Sequence, residues 1–439
     1  MLNLLLIALL NIQLSAAKSF NFSLKIVHRD SPESPLYPGN LTSVERIQRY
    51  IGFSEARASY LTASISRRNN NSAMHPSAKA STEVWLDSSV YLVKIGIGEP
   101  VTEYWLALDT GSDLTWIQCK PCAECYDQVD PIFDPRSSSS FRPVSCTKEI
   151  SCHPYICENR RCLYGISYAD GSESLGYIAR EFFVFTTPSP PFSFRMKFGC
   201  SNTAKGHFAG KISGILGMDL EPISLMGQLG KYYFSNKFSY CLVHPNAVTN
   251  SYLKFGDGVY NGRPVQEFKK TPFLANPFNN HYYLDLQDIS INGKRLNLPK
   301  DTFKIKGNGH GGCIIDSGTT ITRLKSSVYI RVKDELVAYF ARYGIHVAPG
   351  GCGAVLCFEL PRSFNAFPSM TYHFSGGDLY VEPENCFLYS VSHFAPAIAE
   401  GDAELTILGS WHQHNIRFIY DTGLRELSFA PEECDKDSP

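Results

Sequence analysis

Short apolar runs separated by polar turns dominate the chain from residue 81 onward. The runs recur at intervals of about ten residues with Gly, Asn, Asp and Pro between them, which is typical of all-β proteins. Residues 91–97 and 282–286 are predicted strands, and Asn292-Gly293 after the apolar residues 289–291 predicts a hairpin turn. Helical spacing predicts one helix over 326–343 and a weaker one over 225–229. The pattern therefore favours a mostly β fold.

The N-terminal 17 residues have a different character. They carry no charged side chain, are rich in Leu and Ile, and end in Ser15-Ala16-Ala17. This predicts a secretory signal cleaved after Ala17, although the usual basic start is missing. A membrane anchor is the alternative, but a spanning helix needs about 20 apolar residues. No later segment is long and apolar enough to span a membrane.

Residues 18–80 are basic, whereas the body that follows them is acidic. The segment has nine Lys or Arg and four Asp or Glu, which gives a net charge of +5. Residues 81–439 have 32 Lys or Arg and 38 Asp or Glu, which gives a net charge of −6. Opposite charges indicate a lid held partly by attraction that acid would weaken; an ordinary charge fluctuation is the alternative. The capping-box pattern Thr42-Ser43-Val44-Glu45, with Val44, Ile47 and Ile51 at helical spacing, predicts a helix in this segment. Cleavage of the segment is expected between 67 and 81, where no strong pattern exists.

Two short segments of the body are nearly the same. Leu108-Asp109-Thr110-Gly111-Ser112 and Ile315-Asp316-Ser317-Gly318-Thr319 each contain an apolar residue, Asp, a hydroxyl residue, Gly and a second hydroxyl residue. Each is followed by an Ile-Leu-Gly segment, at 215–217 and at 407–409. Repetition at this lobe-sized period predicts two related lobes that bring the two carboxylates together.

Paired carboxylates are suited to acid–base catalysis. One member keeps a proton, so the pair titrates as a unit. The ionised member can draw a proton from a bound water while the protonated member hydrogen-bonds a carbonyl under attack, without metal or covalent intermediate. Gly111 and Gly318 are expected to permit tight backbone at the loop tips, and Ser112 and Thr319 to donate hydrogen bonds to the outer carboxylate oxygens.

The cysteines and sequons indicate the secretory route. Fourteen cysteines, an even number, are expected to form disulfides in an oxidising compartment rather than to bind zinc. The CxxCxxC spacing of Cys119, Cys122 and Cys125 would suit a metal site in a cytosolic protein, but a metal is not expected here. A local cluster, Cys146, Cys152, Cys157 and Cys162, predicts a stapled loop. The three glycosylation sequons, at Asn21, Asn40 and Asn70, all precede Ala80.

Essentially the whole chain resembles the pepsin-like aspartic proteases, and within them the plant nepenthesin-like group. The motifs that carry the resemblance stand at 26–32, Tyr91 with 95–98, 109–114 with Trp116, 118–122, 125–126, 131–135, 168–172, 198–200, 214–217, 238–241, 315–320, 407–409 and 428–431. The resemblance implies a mostly β, bilobal fold with two duplicated β-barrel-like lobes and the active site in the cleft between them. Its parts would be a signal peptide (1–17), a prosegment (18–80), an N-terminal lobe with a Cys-rich insertion (81–248) and a C-terminal lobe (249–439).

The same resemblance implies roles for single residues. Asp109 and Asp316 would be the catalytic dyad, supported by Thr110, Gly111, Ser112, Ser317, Gly318 and Thr319, and Tyr168 would be the flap tyrosine, hydrogen-bonded to Trp116. The implied disulfides are Cys119–Cys122, Cys125–Cys200, Cys146–Cys162, Cys152–Cys157, Cys241–Cys434 and Cys357–Cys386. Cys313 and Cys352 would bridge each other or stay free.

The implied protein is a secreted aspartic endopeptidase that is made as a zymogen and acts at acid pH. It would need no cofactor and no metal, bind polypeptides in extended form, have its own prosegment as a partner, and be a monomer without a membrane anchor. The expected location is the apoplast, with the vacuole as the alternative.

Other classes fit the sequence less well. A catalytically inactive binding or inhibitor protein on the same fold is the main alternative, but both Asp motifs, Tyr168 and Trp116 are intact. A disulfide-rich adhesion or sugar-binding module explains the cysteines but not the duplication, and nucleic-acid binding has no support because the body is acidic. Trp411-His412-Gln413-His414 replaces an Asn-rich stretch usual in the family; surface histidines are expected there, with titration near pH 6 as the alternative.

Overall fold

The computed structural model describes most of the chain. The described residues are 22–69, 90–147, 152, 154–167, 173–186, 191–205, 211–245, 247, 249–352, 354, 356–401 and 404–439. The predicted signal peptide, the sequons at Asn21 and Asn70, and the predicted flap residue Tyr168 lie outside these residues. Within them, no helix is long and apolar enough to cross a membrane.

The segment before residue 70 is folded onto the body. It consists of a strand, β1 (Phe22–His28), and a long helix, α1 (Ser43–Asn69). The predicted capping box is confirmed, because the backbone N–H of Thr42 donates to the Glu45 carboxylate at 2.8 Å and that of Glu45 to the Thr42 hydroxyl at 3.2 Å. Of the predicted apolar face, Ile47 is buried and its neighbours Val44 and Ile51 are half-buried.

The first half of the body is built almost entirely from strands. One short helix, α2 (Leu225–Tyr233), interrupts them. The strands are β2 (Tyr91–Ile97), β3 (Thr102–Asp109), β4 (Trp116–Gln118), β5 (Arg142–Pro143), β6 (Ile156–Glu158), β7 (Arg161–Ser167), β8 (Glu173–Phe185), β9 (Phe192–Lys205), β10 (Gly214–Gly217), β11 (Lys237–Cys241) and β12 (Ser251–Phe255).

The second half repeats this composition, with one longer helix, α3 (Ser326–Ala341). Its strands are β13 (Lys269–Asn276), β14 (Asn279–Leu284), β15 (Leu286–Ile291), β16 (Lys294–Arg295), β17 (Cys313–Ile315), β18 (Thr322–Leu324), β19 (Phe358–Glu359), β20 (Met370–Phe374), β21 (Gly377–Val381), β22 (Phe387–Tyr389), β23 (His393–Pro396), β24 (Ile398–Glu400), β25 (Thr406–Leu408), β26 (Ile416–Asp421) and β27 (Glu426–Pro431). Short 3₁₀ helices cover Pro135–Ser137, Gly256–Tyr260, Val265–Glu267, Pro383–Asn385, Ser410–Gln413 and Cys434–Lys436.

Strand pairing joins the two halves and the N-terminal segment. Among the described residues, 20 strands form one hydrogen-bonded sheet, and four and three strands form two smaller ones. β1 lies in the large sheet between β12 and β2, antiparallel to both. Its side chains Leu24, Ile26 and Val27 are almost fully buried. The N-terminal strand is therefore part of the core rather than an attachment to the surface.

Most local predictions are confirmed. β2 coincides with the predicted strand 91–97, and α2 and α3 lie where helical spacing predicted helices. Asn292-Gly293 forms the predicted turn between β15 and β16, and both residues have the positive φ, 48° and 78°, that such a turn requires. The predicted strand 282–286 is instead divided between β14 and β15, with Asp285 between them.

Only one of the six expected disulfides has the predicted partner, Cys241–Cys434. The structure pairs the others as Cys119–Cys200, Cys122–Cys125, Cys146–Cys157, Cys152–Cys162 and Cys352–Cys357. Strand register is the reason for the first correction, because parallel pairing of β4 with β9 lets the backbone N–H of Cys119 reach Ser201 and places Cys119 beside Cys200. Cys386, expected in a bridge, is free and buried, as is Cys313.

Candidate active site

The two Asp-hydroxyl-Gly segments form matched loops. β3 ends at Asp109 and runs parallel to β10, with Gly217 opposite Asp109. β17 ends just before Asp316 and runs parallel to β25, with Ile315 opposite Leu408. After each loop a strand returns antiparallel to the same partner, so that Trp116 lies opposite Ile215 in one half and Arg323 opposite Ile407 in the other. The duplication seen in the sequence is therefore a duplication of structure.

Both Ile-Leu-Gly segments end in glycine because the Asp loop crosses directly above them. A β-carbon on Gly217 would lie 2.4 Å from the carbonyl oxygen of Asp113, and one on Gly409 would lie 2.7 Å from that of Thr320. In each half the glycine N–H donates at 3.1 Å to a threonine hydroxyl six residues after the aspartate, Thr115 or Thr322. These contacts hold each loop on the sheet.

The hydrogen bonds to the two carboxylates are also matched. The Ser112 hydroxyl donates to Oδ2 of Asp109, and the Thr319 hydroxyl donates to Oδ2 of Asp316 at 2.7 Å. The N–H of Gly111 donates to Oδ1 of Asp109 at 2.9 Å and that of Gly318 to Oδ1 of Asp316 at 3.2 Å. The predicted hydroxyl donors are thus confirmed, and each carboxylate is held on both oxygens.

Thr110 and Ser317 connect the two loops to each other. The backbone N–H of Ser317 donates to the Thr110 hydroxyl at 2.9 Å, and the two hydroxyls lie 3.2 Å apart. The Thr110 hydroxyl also lies 3.4 Å from Oδ1 of Asp316, where it donates a long hydrogen bond. The loops therefore fix each other's position at the base of the site.

A side chain from the N-terminal helix occupies the space between the carboxylates. Arg57 of α1 donates from Nε to Oδ2 of Asp316 and from Nη1 to Oδ2 of Asp109, both at 3.0 Å. Its Nη2 donates to Oδ1 of each carboxylate, at 3.3 Å for Asp316 and at a closer distance for Asp109. One guanidinium thus bridges both acids, and all three side chains are buried.

The absence of side chains at Gly111 and Gly318 makes room for this guanidinium. A β-carbon on Gly111 would lie 2.4 Å from Nη2 of Arg57, and one on Gly318 would lie 3.3 Å from the guanidinium. Neither glycine has a positive φ. A left-handed backbone is therefore not what requires glycine here, and the close contacts show that the missing side chains provide space above the carboxylates.

Burial and charge act in opposite directions on the three groups. Burial raises the pKa of both carboxyls and the Arg57 charge lowers it; the net shift is upward for Asp109, which also faces the Asp316 charge, and downward for Asp316. Burial lowers the pKa of Arg57, but the two carboxylates outweigh it and the net shift is upward. The arrangement is a cation held by two acids in a buried site.

The sequence does contain a signal for the role of Arg57. The buried face of α1 runs through Ile47, Tyr50, Ser54, Arg57 and Leu61. Arg57 is therefore a charged residue in an otherwise uncharged stripe at helical spacing, which marks a buried partner of opposite charge. Among the other predicted site residues, Trp116 is buried in β4. Its predicted contact with Tyr168 involves a residue outside the described part of the chain.

Comparisons with known proteins identify the family of the chain. Residues 91–257 match the family described as Xylanase inhibitor N-terminal, and residues 281–431 match the family described as Xylanase inhibitor C-terminal. Aspartic proteinase nepenthesin-2 of Nepenthes gracilis is 33% identical over 90% of this chain and 87% of its own length. Aspartyl protease family protein 2 of Arabidopsis thaliana is 34% identical over 94% of this chain and 85% of its own.

Solved structures show the same fold. The crystal structure of edgp has a TM-score of 0.66 and 20% identity, and covers 79% of this chain and 93% of its own. The crystal structure of basic 7S globulin from soybean has a TM-score of 0.61 and 16% identity, and covers 77% of this chain and 92% of its own. Relatives named aspartic proteinases or aspartyl proteases are 31–34% identical to this protein along 90–96% of the chain, so the protein is an aspartic-type endopeptidase. It belongs to the pepsin-like aspartic proteases and, within them, to the plant group that is similar to the nepenthesins.

Proposed function

We propose that the protein is a secreted acid endopeptidase that is synthesised as a zymogen and cleaves peptide bonds with the Asp109/Asp316 dyad. The observation that carries this proposal is the single guanidinium that bridges two carboxylates in matched hydrogen-bond settings. A site able to hold one cation between two acids is also able to hold a water molecule and a peptide carbonyl there.

Catalysis would begin when α1 leaves the cleft. Without Arg57, two buried carboxylates a few ångström apart share one proton, because both cannot ionise comfortably. The ionised member takes a proton from a bound water as the water attacks the peptide carbonyl, and the protonated member donates a hydrogen bond to the carbonyl oxygen. The tetrahedral intermediate then collapses, and the C–N bond breaks as the dyad gives a proton to the nitrogen, which leaves as the amine. Ser112 and Thr319 keep the carboxylates oriented during this step, and no metal is required.

The N-terminal segment supports the zymogen part of the proposal. α1 places Arg57 where substrate would react and fills the adjacent cleft with Ala58 and Leu61, both buried against the body. A polypeptide cannot reach the dyad while this helix is in place. The segment 18–80 is therefore the inhibitory prosegment, and residues 81–248 and 249–439 form the two catalytic lobes.

Secretion is supported by the signal-like residues 1–17 and by the disulfides, which persist in oxidising compartments. The apoplast fits such a protein best, with the vacuole as the alternative. We propose that the mature enzyme is a monomer, with Asn40 as an accessible glycosylation site on the prosegment.

Activity of the purified full-length chain at about pH 4 tests the proposal, because a shared proton on the dyad requires acid conditions. A denatured protein would be the substrate, and mass spectrometry of the products would report the cleaved bonds. We expect cleavage by the natural chain and none by Asp109→Asn or Asp316→Asn. The exposed Asp301, changed to Asn, is the matched control and should leave cleavage unchanged.

Two results would contradict the proposal. Equal cleavage by the natural chain and the two dyad variants would place the chemistry elsewhere. Absence of cleavage after complete removal of the prosegment would instead favour a binding or inhibitor protein on the protease fold.

A further inference from the structure

Three histidines meet where the prosegment, β2 and the C-terminal part of the chain join, far along the chain from the dyad motifs. His28 ends β1, His244 follows β11, and His414 follows the 3₁₀ helix Ser410–Gln413. His28 and His414 are buried and His244 is half-buried. The expectation of surface histidines at 412 and 414 is therefore wrong, since both rings are enclosed.

Ring contacts make the three residues one cluster. Tyr91 lies opposite His28 in the β1–β2 pair, its ring is 5.4 Å from that of His28, and its hydroxyl is 3.0 Å from Nε2 of His414. The rings of His244 and His414 are 5.5 Å apart, and both pack on Trp411. The cluster thus connects a prosegment residue to two parts of the body.

The hydrogen bonds of His28 leave no place for a second proton. Its Nδ1 accepts the backbone N–H of Asp30 at 3.1 Å, so the ring carries its single proton on Nε2. A proton on Nδ1 would face that N–H directly. Among the described residues, Nε2 of His28 and Nδ1 of His414 have no hydrogen-bond partner. An imidazolium in this position would therefore be buried without an acceptor.

The charged groups around the cluster do not compensate for such a charge. From its own strand His28 faces Arg29 and Asp30, from α1 it faces Arg46, and from the body it faces His244. His414 faces His244, His28 and His412. The acidic group, Asp30, favours a proton on His28, but its Oδ2 already accepts hydrogen bonds from Arg46 at 3.0 Å and from the Tyr50 hydroxyl at 2.7 Å. Burial outweighs Asp30, and Arg29, Arg46 and His244 also oppose a proton on His28.

We propose that His28, His244 and His414 form an acid-sensitive latch: as neutral rings they hold the start of the prosegment on the body, and proton uptake on acidification releases it. The proposal rests on the zymogen proposed above and adds a trigger that is separate from the dyad. Release of β1 would loosen the first turns of α1 and thereby the hold of Arg57, because the His28 ring lies 6.3 Å from that of Tyr50, about two helical turns before Arg57.

The pH window follows from the difference between the latched and the released state. Burial lowers the pKa of His28 from 6.5 to about 3 in the latched state, and burial also lowers the pKa of His244 and His414. The released state binds more protons, so the latch is fully stable above 6.5 and weakens as the pH falls from there toward 3. Each histidine that becomes exposed shifts the equilibrium about tenfold per pH unit.

Hydrogen–deuterium exchange of the intact chain tests the latch without requiring any proteolysis. The backbone amides of β1 are protected by pairing with β12 and β2. After correction for intrinsic exchange, we expect the opening equilibrium of β1 to rise at least about tenfold between pH 6.5 and 5. His28→Gln keeps a hydrogen-bond acceptor but cannot be protonated, so the rise should be smaller than in the natural chain by the contribution of one histidine, about tenfold over this range. The exposed His346, changed to Gln, is the matched control and should behave like the natural chain.

His414→Gln provides the same measurement from the body side. If His28→Gln has already lost the protection of β1 at pH 7, His414→Gln becomes the test of the latch. It too should reduce the acid-induced opening. Opening that follows the natural pH dependence in both variants would overturn the latch. Acid-induced opening of β1 without proteolytic activity at any pH would instead support the latch proposal and refute the zymogen proposal.

Discussion

Each dyad carboxylate accepts one hydroxyl hydrogen bond on its Oδ2, and this contact is testable. Thr319 donates to Oδ2 of Asp316 at 2.7 Å, and a hydrogen bond to the ionised form lowers the pKa of a carboxyl. Thr319→Val removes the donor and keeps the shape. We expect the pKa of Asp316 in the mature enzyme to rise, so that the acid limb of kcat/KM against pH moves to higher pH by about one unit.

The neighbouring residue Thr320 is the matched control for this prediction. Its hydroxyl is buried as well, but it has no hydrogen-bond partner in the part of the chain that the structure describes. Thr320→Val should leave the acid limb where it is. An acid limb that moves equally in both variants would show that packing, not the hydrogen bond, sets the profile.

Arg57 is the residue on which inhibition depends most. Removing one partner of a buried ion pair leaves an uncompensated charge and costs about 3 kcal/mol. Arg57→Met should therefore weaken the docking of the prosegment, and we expect the purified chain to process itself at a higher pH than the natural chain. The pH at which half of the chain is processed in a fixed time, read from gels, measures this shift.

Arg49 offers a control on the same helix. Its guanidinium lies over the Phe53 ring, at 5.3 Å from the centroid, and is half-exposed. Arg49→Met makes the same chemical change away from the dyad and should shift the midpoint little. Similar midpoints for the two variants would mean that net prosegment charge, rather than the contact with the dyad, governs processing.

At the scale of elements, the strand beneath each Asp loop sets the position of the carboxylate above it. A β-carbon on Gly409 would lie 2.7 Å from Thr320 backbone, so Gly409→Ala must displace the loop that carries Asp316. We expect it to destabilise the protein by about 1 to 3 kcal/mol, the range for overpacked cores, and to reduce kcat. Gly307, exposed and with open space around its α-carbon, is the control, and Gly307→Ala should not change urea unfolding.

Local elements followed from the sequence where neighbours along the chain determine them. The Asn292-Gly293 turn, β2 and α3 each depend on nearby residues, so the turn dipeptide and the apolar spacing predict them. The duplicated Asp loops are recognisable because each is followed by an Ile-Leu-Gly segment at a similar spacing. The parallel pairing of these segments with the strands before the aspartates is visible only in the structure.

Features that depend on distant strands did not follow from local patterns. The pairing of Cys119 with Cys200 is set by the register of β4 on β9, which no cysteine spacing encodes. His412 and His414 are polar in sequence but buried, because distant strands enclose them: His414 contacts Tyr91 of β2, and His412 contacts Thr322 of β18 and Tyr372 of β20. Arg57 was missed since a charge in a helical stripe has meaning only when its partner is known.

At the scale of the whole molecule, the proposed zymogen is a body that binds Arg57 of its own N-terminal segment between the dyad carboxylates. β1 completes the sheet between β12 and β2, the latch lies at its end, and α1 carries Arg57 to the cleft. The proposed removal of the prosegment would remove each of these contacts. The mature enzyme would then hold two neighbouring carboxylates without the cation that the zymogen places between them.

This difference predicts a stronger loss of stability with rising pH above pH 5 in the mature enzyme than in the zymogen. In the zymogen the Arg57 charge lowers the pKa of both carboxyls, and the net shift is upward for Asp109 and downward for Asp316. Without Arg57 the two carboxyls still face each other, so the pKa of one of them should rise further. Groups with a raised pKa in the folded state stabilise it at low pH and lose that contribution as the pH rises through the raised value. We expect the Tm of the mature enzyme to fall between pH 5 and 7.5 by more than that of the zymogen.

Thermal unfolding of both forms at the two pH values measures this, with the mature Asp109→Asn variant, processed by active enzyme, as the control. The variant has one carboxylate in the dyad, so charge repulsion at neutral pH is absent and its Tm should fall less. An equal fall in the variant would mean that loss of the prosegment contacts at β1 and the latch, rather than the unpaired dyad, makes the mature body sensitive to neutral pH.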